Sequence, residues 1–329
     1  MLHIKFGKNA NQEVDEEEEF DDDTVMTAQP LSRRLLGRIF QPKWLVIAAL
    51  IGVALVMFPK VKAIKTNLQD RREYIITMDD VRISEPPPHV PHDFISGVYF
   101  RSQLPRQLSL LDESTLLKFA DAFIADPWVA DIRRVQKDFP SYIYLDIVYR
   151  TPAAMVKVGD GLYPIDEAGI VLPPQNFTRD EALRYPIITN VRSVPSGANG
   201  TPFGDPVVHG AARLARALTP IDQPGESVWN RFDLAEIRVP RMQSLDEPID
   251  DLIFELGTNS GSTIVWGRAP GIAHPAELTV AQKIGRLESY VASYGGFDQQ
   301  DLAYELDIRH WKEISRRAIA TRPEQVQRH

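Results

Sequence analysis

Apolar and polar positions alternate most cleanly in the stretch between Val129 and Leu172. Ile143, Leu145 and Ile147 alternate with Tyr142, Tyr144 and Asp146, the period-two pattern of a strand with one apolar face and one wet face. Val129–Lys137 is a second extended run, joined to Tyr142–Arg150 by the turn signal Asp138-Phe139-Pro140-Ser141. Pro152 lacks the N–H a ladder needs and ends this pairing. Met155–Leu172 then gives two more strands around Gly159-Asp160-Gly161, followed by a turn at Glu167-Ala168-Gly169. Upstream, Tyr74–Ile83 alternates weakly and reads as a first strand. Glu85-Pro-Pro-Pro-His-Val-Pro91 can hold neither helix nor central strand, so it predicts a stiff extended loop. Ser109-x-x-Asp112 predicts a capping box ahead of Leu116, Phe119, Ala120 and Phe123, an i, i+3, i+4, i+7 apolar face.

Farther along, Asp205-Pro206 is an N-cap with proline at the first helical position, and Val207, Ala211, Leu214 and Leu218 share one face of the helix it opens. Phe232–Val239 and Leu252–Leu256 read as strands, the latter pairing with Thr263–Trp266 through Gly257-Thr-Asn-Ser-Gly261. Thr279-x-x-Gln282 caps a helix with Val280, Ile284, Leu287 and Val291 on its buried side, stopped by Gly295-Gly296. In Leu302–Trp311, Leu302, Tyr304, Leu306 and Ile308 alternate with Ala303, Glu305, Asp307 and Arg309, which predicts the final strand, at or near a sheet edge. Strands bracketing two helices predict a mixed sheet packed on helices. No internal repeat is visible.

One segment obeys neither period. Trp44–Phe58 is fifteen residues without a charge, reaching roughly 22 Å as a helix against a hydrocarbon core of about 30 Å. Lys43 and Lys60 can snorkel, Ile39, Phe40 and Val61 extend the apolar stretch, and Trp44 sits where an interfacial aromatic belongs. A buried core helix is the competing reading; a membrane span is the better one. No small-x-small cleavage site occurs after Phe58, so it does not read as a signal peptide. Val61, Ile64 and Leu68 continue the helical spacing beyond it. Arg33, Arg34, Arg38 and Lys43 before the span balance Lys60, Lys62, Lys65, Arg71 and Arg72 after it, so charge does not set its orientation.

Composition narrows the chemistry. The 329 residues suffice for two domains, with 43% apolar and 25% charged positions. With no cysteine, disulfides, thiolate metal sites and Cys nucleophiles are excluded. The net charge of −8 is concentrated in Glu13–Asp23, which carries nine acidic groups within a polar segment that reads as disordered. No basic stripe with interleaved aromatics suggests nucleic acid. Gly257-Thr-Asn-Ser-Gly lacks the order of a nucleophile elbow, and no Walker or dinucleotide loop occurs. His89 and His92 stand three apart with no further ligand, His209 has no sequence-adjacent carboxylate, and Asp166 reads as a turn-stabilising carboxylate. Asn176-Phe-Thr178 and Asn199-Gly-Thr201 match glycosylation acceptors in form only. The residues suggest no enzyme, no cofactor, no metal site and no small-molecule substrate.

The order strand, turn with Phe139-Pro140, strand, Pro152-Ala153, then Ile165-Asp166-x-x-Gly169 hairpin resembles a POTRA domain entering the β domain of the FtsQ/DivIB cell-division family. The resemblance implies an α+β protein with a single transmembrane helix, a POTRA domain and a mixed β-sheet domain packed with helices. Its segments would be an acidic cytoplasmic tail (1–40), the helix (41–60, with Trp44 and Phe58 bounding its apolar stretch), a linker (61–73), the POTRA domain (74–151), the β domain (152–316) and a disordered tail (317–329). It implies a non-enzymatic divisome scaffold in the cytoplasmic membrane, N-terminus inside and folded domains outside, joining membrane division proteins during septum formation. Carried over residue by residue, one docking surface falls at Val135 and Lys137. The other falls on the last strand and the residues just after it: Asp307, Ile308, Arg309, His310, Trp311, Lys312, Glu313 and Ile314. Two other readings stay open: a POTRA-bearing envelope-assembly or secretion adaptor, and an anchored enzymatic or ligand-binding ectodomain.

Overall fold

The structure, a computed structural model, describes residues 42–69, 74–138, 142–220, 227–240, 249–272, 274–275, 277–297 and 302–319. The acidic tail 1–40, the Phe139-Pro140-Ser141 turn and most of the tail from residue 317 onward lie outside them. Helix α1 (Pro42–Gln69) is 28 residues long. Its described side chains run from Val46 to Phe58, with Lys60, and are exposed throughout, Leu55 at 70% and Phe58 at 76%. An apolar helix without a polar face has nothing in its sequence to orient it against a core. Among the described residues, no helix is long and apolar enough to cross a membrane.

From the end of α1 onward, residues 67–329 form one compact unit, whose strands start with β1 (Ile75–Ile76) and β2 (Val81–Ile83). The single strand expected over Tyr74–Ile83 is broken by a 3-10 turn at Met78–Asp80. There the Asp80 carboxylate accepts hydrogen bonds from the Thr77 amide (2.9 Å) and hydroxyl (2.7 Å), a local alternative to the ladder. Helix α2 (Phe94–Ser102) comes after the proline loop, burying Phe94 and Val98, and β3 (Leu108–Ser109) pairs with β1. Helix α3 (Ser114–Ile124) is capped differently from expectation. Ser109 is committed to the β1–β3 ladder, and the Asp112 carboxylate instead accepts from the Ser114 amide and hydroxyl at 2.9 and 2.8 Å.

Strands β4 (Val129–Asp138) and β5 (Tyr142–Tyr149) form the expected antiparallel pair, and β2 lies parallel to β5 on its other side. Ile143, Leu145 and Ile147 are 0, 0 and 5% exposed and share a core with Phe94, Phe119, Phe123 and Trp128. The alternation therefore marks the correct face. In this three-stranded sheet β4 is an edge.

The second large sheet has eight strands in the order β13-β12-β11-β10-β9-β8-β6-β7. Its strands are β6 (Pro152–Val158), β7 (Gly161–Asp166), β8 (Ile187–Thr189), β9 (Leu234–Arg238), β10 (Phe254–Thr258), β11 (Thr263–Gly267), β12 (Ala303–Asp307) and β13 (Ser315–Ile319). Pro152 opens β6 opposite Asp166, so it begins a strand as well as ending the previous pairing. Short α4 (Arg179–Ala182) precedes β8. Helix α5 (Pro206–Leu218), whose Asp205 cap accepts from the Val207 amide at 3.0 Å, buries Val207, Ala211, Leu214 and Leu218. After α6 (Val228–Arg231), α7 (Val280–Tyr294) carries the expected Thr279–Gln282 capping box and ends at Gly295, φ 81°. It links β11 to β12 as a parallel crossover. One core of Val156, Ile188, Ile237, Leu256, Ile264 and Trp266 takes both α5 and α7.

The expected last strand is not the last. β12 pairs with β11 on one side and β13 on the other, so the edge belongs to β13. Ser315-Arg-Arg-Ala-Ile is polar and half wet, the composition by which an edge strand resists indiscriminate pairing, and it carries no clear alternation to read.

Candidate partner-binding surface

Between β12 and β13 the chain turns through Ile308–Ile314, and the turn is fixed at several points. Ile308 is fully buried and its N–H donates to the Val265 carbonyl at 3.4 Å, just past the end of the β11–β12 ladder. Asp307 accepts from the Arg309 amide (3.0 Å), Nε (2.9 Å) and Nη2 (2.6 Å). Burial alone would raise the Asp307 pKa, but these Arg309 bonds hold it below the usual carboxylate range. Arg286 of α7 donates to the Trp311 carbonyl at 3.1 Å, and Ile314 packs on the domain core. Trp311, carried by this pinned backbone, is 60% exposed. A large aromatic held out on an ordered turn loses little conformational freedom on binding, the condition for an energetic anchor.

Beneath the turn lies a buried ionic cluster. Lys283 of α7 is 2% exposed; its ammonium bonds Glu277 and stands 4.8 Å from the centre of the Trp266 ring. Glu277 also takes Arg268 Nη1 at 3.3 Å, while Arg268 Nη2 reaches Asp251 at 2.8 Å. Burial pushes the Lys283 ammonium below its ordinary pKa, with Glu277 opposing. Gly267, φ 104°, leaves room for these groups: a Cβ there would lie 2.6 Å from Glu277 Oε1 and 3.1 Å from Lys283 Nζ.

The C-terminal residues named from sequence therefore divide. Asp307 and Arg309 satisfy each other, Ile308 is core, and Ile314 packs inward. His310, Trp311, Lys312 and Glu313 remain as surface. Strand β13, where the sequence predicts only the end of the ordered part and a tail, adds an edge beside them. There Arg316 lies 3.6 Å over the Tyr304 ring and Arg317 pairs with Glu305 at 2.8 Å.

Val135 and Lys137 sit in the other sheet, on β4. Val135 packs against its domain's core, and Lys137 Nζ donates to the Leu110 carbonyl at 2.5 Å and the Asp112 carbonyl at 3.4 Å. Both side chains turn toward their own domain; on β4 the exposed positions are Ala130, Asp131, Arg133, Arg134 and Gln136. The two sets of residues belong to separate sheets, and each lies on or beside an edge strand.

Of the residues considered for catalysis, Asp166 and those of the β10–β11 turn take structural roles. Gly257–Gly261 includes the β10–β11 turn, where the Thr258 hydroxyl accepts from the Ser262 amide at 3.0 Å. Asp166 accepts from the Ala168 and Ile170 amides (2.9 and 2.8 Å) and pairs with Arg150 at 2.8 Å, so its carboxylate does hold the turn. His209 is exposed on α5, Asn176 is exposed at the end of a 3-10 turn (Pro174–Asn176), and Asn199 is exposed in a loop. His89 donates from Nε2 to the Arg150 carbonyl at 3.0 Å. Among the described residues no group of three or more His, Cys, Asp or Glu could hold a metal ion.

No protein-family model matches the chain. It is 28% identical over 191 residues to a cell division protein FtsQ of Mycobacteroides abscessus, a match covering 55% of this chain and 51% of that protein. The chain thus matches about half the length of this curated relative. The resemblance to the FtsQ/DivIB family read from Val129–Leu172 stands on this relative as well.

Proposed function

We propose that this chain, like the FtsQ protein it resembles, is a cell-division protein, and that it acts as a membrane-anchored, non-enzymatic scaffold. The observation that carries the reading is the pinned Ile308–Ile314 turn presenting Trp311 beside the edge strand β13. Main-chain groups on an edge can take a partner segment as an added strand, and the aromatic beside it can set which segment fits. Trp311→Ala is expected to leave the melting temperature unchanged within the effect of a surface substitution, about 0.5 kcal/mol. It is also expected to lose membrane division partners in co-purification, since a central aromatic anchor contributes about 2 kcal/mol or more. Full partner capture by a folded Trp311→Ala variant would move the site elsewhere.

The anchor is part of the same proposal. It rests on the uncharged Trp44–Phe58 stretch of the sequence and on the exposure of the apolar side chains described there, Val46 to Phe58. Residues 41–60 are assigned as the span, 1–40 as the cytoplasmic tail and 61–73 as the linker. The three-stranded domain is assigned as POTRA (74–151) and the eight-stranded one as the FtsQ-type β domain (from 152), both outside the cytoplasmic membrane. Alkaline phosphatase fused after Arg317 is expected to be active; an inactive fusion, with a cytoplasmic reporter active at the same place, reverses the topology. A fluorescent fusion is expected at mid-cell, and uniform envelope fluorescence would favour an envelope-assembly adaptor.

A further inference from the structure

The two folded domains meet at Arg150–Pro152, and His89 of the proline loop closes on that junction. A carbonyl can only accept, so His89 donates from Nε2 to Arg150 O at 3.0 Å, and its ring lies 5.6 Å from that of Trp128. Trp128 continues to Phe177 (6.0 Å) and Phe177 to Tyr185 (6.1 Å), so a row of aromatic rings runs from the first domain into the second. Arg216 of α5 reaches the same place, donating to the Thr151 and Pro152 carbonyls at 3.0 and 3.2 Å. A cavity of 380 Å³ opens beside His89, lined also by His92, Phe177, Glu181, Arg184 and Tyr185.

We propose that His89 is a pH-sensitive latch between the two domains, closed while the imidazole is neutral and released when it is protonated. The reason is a lack of counter-charge. Asp166 is bonded to Arg150, and Glu167 faces Arg216 at 3.5 Å. Across the cavity, Glu181 is committed to the Thr178 amide and hydroxyl, both at 2.8 Å. Asp126, beside Trp128, is paired with Arg101. Arg216 acts on the ring as a nearby cation, and Arg184 lines the same cavity. An imidazolium formed here gains a stronger bond to one carbonyl but must stay half-buried with no free carboxylate to pair with, and water is the better place for it. Burial, with Arg216 assisting and the Arg150 carbonyl opposing, accordingly holds His89 below its ordinary value of 6.5.

A base whose pKa is depressed in the closed state stabilises that state above the free pKa, and the stabilisation is lost as pH falls through the lower value. Release frees the ring from Trp128 and loosens the loop 85–93 and the connector 150–153 without unfolding either sheet.

Hydrogen exchange on the full chain in detergent micelles tests this, at about pH 7.5 and about pH 5 with the intrinsic rates corrected. Exchange in 85–93 and 150–153 is expected to rise several-fold at the lower pH while α5 stays protected. His89→Gln keeps an N–H donor but cannot titrate in this range, so its exchange should not respond. An unresponsive wild type overturns the proposal, as does a His89→Gln variant that responds like wild type. Should His89→Gln fail to fold, Glu167→Gln decides. Removing the negative charge beside Arg216 should enlarge the response, and an equal or smaller response overturns the latch.

Discussion

Leu145→Asp is expected to unfold the first domain, while Tyr144→Asp one residue away leaves it folded. Leu145 is fully buried on the central strand β5, opposite Val135 on β4 and Ile83 on β2, in a core with Phe119 and Phe123. These neighbours are apolar, so the new carboxylate must ionise unpaired or be buried protonated. Either costs several kcal/mol, on the order of a third or more of a domain's whole stability. Tyr144 points to the other face, half-buried opposite Gln136 and Arg82, where losing a cross-strand pair costs about 1 kcal/mol or less. Thermal unfolding of the two variants reads the difference directly. Equal losses would mean that the strand register is shifted by one residue.

The second large effect is expected at Glu277. Glu277→Ala leaves the Lys283 ammonium, 2% exposed against Trp266, with no carboxylate, while Arg268 keeps Asp251. Breaking one side of a buried ion pair costs about 3–5 kcal/mol, because the remaining charge stays desolvated. Adding Lys283→Met removes that charge and places a flexible thioether on the same indole face. The double variant is therefore expected to recover most of the loss. Denaturant unfolding of the two single variants and the double closes the cycle. A double variant no more stable than Glu277→Ala would mean that Glu277 acts through Arg268. Because the cluster lies under the Ile308–Ile314 turn, partner capture by the double variant also tests whether Trp311 depends on it.

Legibility in the sequence tracks burial. Ile143, Leu145 and Ile147, the α5 face and the Thr279–Gln282 cap are legible because one side of each element is dry and period or capping chemistry records it. Ser109-x-x-Asp112 misleads, because the helix begins only at Ser114 and Ser109, drawn into the β1–β3 ladder, lies too far ahead to cap it. Helix α2 escapes the periodicity, its nine residues interrupted by Gly97. β13 escapes because edge strands are written in polar residues. That omission moves the candidate surface: Asp307 and Ile308 look like an exposed edge but belong to an interior strand and its end. At Val135 and Lys137 the pattern marks a strand, but neither its place at an edge nor which side chains face outward.

From β8 to β13 each strand lies beside its predecessor in the chain, with α5 inserted between β8 and β9 and α7 between β11 and β12. The sheet can therefore grow outward from one side as the polypeptide is synthesised, each new strand docking on the edge left by the one before, with no strand threaded between two that are already paired. Until Ser315–Ile319 arrives, β12 is the unfinished end, and a truncation before residue 315 should leave the growing edge open to any β-forming chain nearby. Premature termination there is thus expected to yield aggregates from a nearly complete protein.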